Sequence, residues 1–80
     1  MNEINLKYPF TAGGKKIEKL TLRRPVVKDL RTMGRYGDSE EEKEIGLMAS
    51  LSGLIPEDMD AMDVADYKAL QDSFRGMLDQ

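Results

Sequence analysis

An 80-residue chain that is 40% apolar and contains no cysteine, histidine or tryptophan can build one small core and little else. This composition excludes a disulfide framework, a thiolate nucleophile, a cysteine–histidine zinc site and an imidazole base, and neither cofactor nor metal is expected. The formal charge of −3 conceals a division, because residues 1–37 hold nine Lys/Arg against three Asp/Glu while residues 38–80 hold three against twelve. No apolar run reaches the roughly 20 residues of a membrane span. The start, Met1-Asn2-Glu3-Ile4-Asn5, has neither part of a signal peptide, so a cytoplasmic chain without membrane contact is expected.

From Ile4 to Phe10, the side chains of Ile4, Leu6, Tyr8 and Phe10 alternate with polar residues and Pro9, the pattern of a strand with one buried face. Pro9 has no amide hydrogen and puts the strand's end at a sheet edge. Gly13 and Gly14 supply a reversal, and a second strand runs from about Lys16 to Leu22. Ile17 has the opposite parity to Leu20 and Leu22, which predicts a bulge near Glu18 or Lys19.

Pro25 suits the first position of a helix reaching about Tyr36. Its apolar stripe is Val26, Leu30 and Met33, with Lys28, Asp29, Arg31 and Arg35 toward solvent and Gly34 and Gly37 at its end. Ser39 and Glu42 form a capping box before a second helix that runs to Ser52. Ile45, Met48, Leu51 and Ile55 form its stripe, widened by Leu47 and stopped by Gly53. Pro56 starts a single turn. Asp63 then caps a last helix to about Leu78, in which Tyr67, Leu70, Phe74 and Met77 or Leu78 recur at three and four. The expected fold is α+β, an N-terminal β-hairpin followed by three to four short α-helices in a single domain. Residues 1–24 are the hairpin, 25–37 a basic helix and 38–80 an acidic helical part.

Candidate chemistry is sparse. Asp58, Asp60 and Asp63 begin like a calcium loop, but its sixth and twelfth positions hold Asp63 and Ala69 in place of glycine and glutamate, so helix capping accounts for them better. Gly13-Gly14-Lys15 lacks the rest of a phosphate loop. Four serines have no histidine to activate them, and no enzymatic activity is expected. A basic stretch from Lys15 to Arg35 makes a small DNA-binding regulator the alternative function. The attached acidic excess and a pI of about 4.9 weaken it. The methionines Met33, Met48, Met59, Met62 and Met77 suit adaptable apolar contacts, and Met59 and Met62, between helices, are expected to be partly exposed.

One linear arrangement stands out. A strand ends in Leu20-Thr21-Leu22-Arg23-Arg24-Pro25 and continues into Val26-Val27-Lys28-Asp29-Leu30. The acidic helix is followed by Leu51-Ser52-Gly53-Leu54-Ile55-Pro56-Glu57-Asp58-Met59, and Met62-Asp63-Val64-Ala65-Asp66-Tyr67 opens the last helix. In this order the segments resemble the small tail assembly chaperones of Mu-like and related contractile-tailed phages and prophages. The resemblance implies a non-enzymatic protein that binds the helical tape measure protein, keeps it soluble, helps recruit tail tube subunits and is absent from the finished particle. It also implies that a chain ending at Gln80 corresponds to the short product where a frameshift yields a longer one. Arg23, Arg24, Tyr36, Met59 and Met62 are the expected partner-binding residues. Self-association is a further expectation, and nucleic-acid binding the weaker one.

Overall fold

A computed structural model describes residues 2–79. Strand β1 (Asn2–Ala12) turns into β2 (Lys15–Leu22) through Gly13 and Gly14, whose φ values of 57° and 79° are those of a two-residue type I′ turn. The strands pair antiparallel, Asn2 with Leu22 at the open end and Ala12 with Lys15 at the turn. Between these ends the register shifts. Asn5 faces Lys19 and Phe10 faces Ile17, so residues 6–9 of β1 lie opposite Glu18 alone.

The irregularity thus occurs at the level expected from parity, but its extra residues belong to β1 and not to β2. It lets Ile4 pair with Leu20 and Phe10 with Ile17, although Ile17 and Leu20 differ in parity. Pro9 lies inside this stretch, and β1 continues past it to Ala12. The amides freed by the shift are satisfied from far along the chain. Lys7 N and Tyr8 N donate to Oδ1 and Oδ2 of Asp66 at 3.0 and 2.9 Å, and Asp66 is 2% exposed. A buried carboxylate survives here because both oxygens accept backbone hydrogens at a helix start, where the helix dipole also favours negative charge.

Four helices follow: α1 (Val27–Thr32), α2 (Glu40–Leu51), α3 (Pro56–Met59) and α4 (Val64–Leu78), with a 3₁₀ turn at Met33–Tyr36. The expected hairpin-plus-helices α+β architecture is therefore observed, in one small domain. Ser39 Oγ accepts from Glu42 N at 3.1 Å to start α2, and Asp63 Oδ1 accepts from Ala65 N at 2.8 Å to start α4. The core joins one face of the hairpin (Leu6, Phe10, Leu20, Leu22) to Met48 and Leu51 of α2 and Leu70 and Met77 of α4. Gly46 is required within α2, because the ring of Tyr36 occupies the space that a Cβ would fill.

Three expectations about exposure are corrected. Val26 and Leu30, expected in the core stripe, are exposed, and Asp29, expected toward solvent, is buried. The helix also begins at Val27 rather than Pro25, since residues 23–26 stay extended while Arg23 N donates to Leu51 O at 3.0 Å. Ile55 is exposed and opens α3 instead of extending the stripe of α2. Met59 and Met62 are core residues, because the turn of α3 folds them inward under α2 and α4. Among the described residues, no helix is long and apolar enough to cross a membrane.

Candidate partner-binding groove

The way α1 is held decides what it shows to solvent. Asp29, at the third position of the helix, accepts from Val26 N at 2.8 Å and so caps the first turn. Its carboxylate also receives both arms of the Arg23 guanidinium, at 2.9 and 2.7 Å. The hydrogen bonds from Arg23, then that from Val26 N, hold the Asp29 carboxyl at about 2, against the opposing effect of burial. The same pairing raises Arg23. With Asp29 turned inward, Val27 and Leu30 face away from the core at 72% and 60% exposure, and the extended Val26 before them is 60% exposed.

Next to this apolar surface is a groove of about 350 Å³ between α1, α2 and α4. Leu30, Met33, Leu47, Phe74 and Leu78 supply its apolar lining. Glu40 and Glu44 from α2 and Arg75 from α4 are the charged residues along it. Leu78 is also exposed. Two polar links keep the walls in place: Gln71 Nε2 donates to Glu44 Oε1 at 2.8 Å, and Arg24 Nη1 donates to the carbonyl of Met77 at 2.9 Å. The second satisfies a carbonyl at the C-terminal end of α4, where a cation is also favoured by the dipole. A concave apolar strip with charges at its edges is suited to an amphipathic helix.

The five residues expected from the sequence lie elsewhere. Arg23 and Arg24 brace the groove from behind, through Asp29 and Met77. Met59 and Met62 line a second depression of about 250 Å³ with Ile45, Val64 and Tyr67. Burial pushes the Tyr67 hydroxyl up to about 12, and the charge of Glu44 adds to the shift, so it stays a neutral phenol at physiological pH. Tyr36 lines an adjoining depression of about 240 Å³ with Glu42, Pro56 and Glu57, and Ile45 and Asp60 belong to both. Asp58 accepts from Ile55 N at 3.1 Å, a helix-capping role like that of Asp63.

Leu30, Phe74 and Leu78 line the groove without having been singled out by the sequence pattern. The signal that could have marked Leu30 is Arg23 six residues before Asp29, a pair able to turn the acid inward and Leu30 out. Residues 3–79 match a family model described as phage tail assembly chaperone proteins, E, or 41 or 14. No curated protein and no solved structure matches the chain.

Proposed function

The chain belongs to the phage tail assembly chaperone family, whose role is in tail assembly, and from that membership we propose that it acts without catalysis by sheltering an apolar helix of the tape measure protein in the groove beside Leu30. On this proposal it works in the host cytoplasm before the tail is complete, and passes the tape measure to tail tube subunits. The observation that carries the proposal is the outward apolar side of α1, Val26, Val27 and Leu30, next to a groove lined by Met33, Leu47, Phe74 and Leu78.

The energetics suit a temporary partner. Covering Val26, Val27, Leu30 and Leu78 would contribute roughly 4 to 7 kcal/mol at their observed exposure. That is of the same order as the translational and rotational freedom lost on association, about 4 to 15 kcal/mol. A single groove therefore holds a helix weakly, and a long helical partner is retained by many copies and released when tube subunits compete. Arg23 and Arg24 serve by holding the groove's shape.

The test is co-expression with the tape measure protein encoded in the same gene cluster. The unaltered chain should raise its soluble yield and co-purify with it. A Leu30→Asp/Leu78→Asp variant should lose both effects while keeping its thermal midpoint within a few degrees. Equal rescue by that variant, or an insoluble tape measure with either chain, would refute the proposal.

A further inference from the structure

The charge division of the sequence reappears as two neighbouring surfaces. On the outer side of α1 and the 3₁₀ turn, Lys28, Arg31 and Arg35 border a concavity of about 430 Å³. One residue further on, Tyr36 begins the depression bordered by Glu42, Glu57 and Asp60. Among the described residues, none of these six charged side chains forms an ion pair within the chain. The chain leaves three cations and three anions side by side and unmatched.

We propose that two copies of this chain associate through this face as an isologous dimer, Lys28, Arg31 and Arg35 of each copy meeting Glu42, Glu57 and Asp60 of the other. A two-fold axis near Tyr36 brings each basic surface onto the acidic one opposite and makes the same contact twice, which is the geometry that two adjacent patches of opposite sign favour. Ile55, exposed and next to Pro56 at the acidic depression, adds apolar area at the junction. Leu30 and Met33 line the groove from the other side of α1. The dimer thus leaves both grooves open and offers two of them to one long partner. That last step rests on the function proposed above, and the dimer itself does not.

Sedimentation velocity of the full chain over a concentration series, at about 50 mM and about 500 mM salt, tests this directly, since the higher salt shortens the screening length to a few ångströms. The mass should double at low salt, with the dissociation constant rising at least about tenfold at high salt. Arg31→Glu/Arg35→Glu and Glu57→Lys/Asp60→Lys should each be monomeric, and an equimolar mixture of the two should regain the dimer. Arg31→Gln/Arg35→Gln, which alters the fold least, should weaken it. A chain that stays monomeric at low salt, a dimer indifferent to these variants, or a mixture of folded variants that fails to pair would overturn the proposal. So would a monomer whose basic surface instead binds duplex DNA. Loss of tape measure capture with the dimer intact would count against the function alone.

Discussion

Helices α1 and α4 are built on the same plan and put it to opposite uses. Each has apolar residues at spacings of three and four, and each carries a buried aspartate as its third residue, Asp29 and Asp66. In α4 the stripe goes inward, with Leu70 and Met77 in the core, and Asp66 reaches across to the backbone of β1. In α1 the aspartate is the only buried residue, it holds its own helix start and Arg23, and the apolar side chains stay outside. An apolar stripe therefore does not identify a core face until the polar anchor of the helix is known. A helix of six residues fixed by an ion pair can leave its apolar side free for another molecule.

The sharpest way to break this comparison is to remove the core side of α4. Leu70→Ala should cost about 2 to 5 kcal/mol in urea unfolding, since Leu70 is fully buried. A loss below 1 kcal/mol would mean that α4 is no more essential to the core than α1. The second effect in size is at the long-range anchor. Asp66→Ala orphans the amides of Lys7 and Tyr8 and should cost about 2 to 4 kcal/mol. Hydrogen exchange at those two amides should accelerate more than elsewhere in β1.

The smallest effect concerns Asp29. Its folded value of about 2 lies below the ordinary 3.8, so its contribution is present above about pH 4 and is lost as pH falls through the folded value. The Arg23 side chain is 43% exposed, which screens the pair and reduces the contribution to about 1 kcal/mol. Stability curves of the chain and of Asp29→Asn should accordingly converge between about pH 4 and about pH 2. A constant separation across that range would remove the ion pair from the account of α1.

Much of the fold was legible in short-range pattern. Alternation and the Gly13-Gly14 pair give the hairpin, Ser39 and Asp63 mark two helix starts, and the spacing of Leu70 and Met77 marks the buried side of α4. The register of β1 was not legible, because the acceptors that make its irregular stretch tolerable belong to Asp66, 58 and 59 residues away. The orientation of α1 was hidden for a related reason. Apolar spacing favours Val26 and Leu30 inward, whereas the residue of α1 that the fold buries is Asp29, which pairs with Arg23 and caps its own helix. Met59 and Met62 lie between helices in the sequence, and only the tertiary packing of the segment around α3 makes them core residues. The groove combines Leu30 with Phe74 and Leu78, and no local pattern joins residues so far apart.

The clasp between Asp66 and the amides of Lys7 and Tyr8 has a consequence for biosynthesis. During translation the hairpin emerges before the helix that carries Asp66, and its irregular stretch then lacks the acceptors that settle it. The first strand can reach its final register only after the last helix has left the ribosome. Until Asp66 is available the hairpin is an incompletely settled segment, and its shape is fixed from a distance.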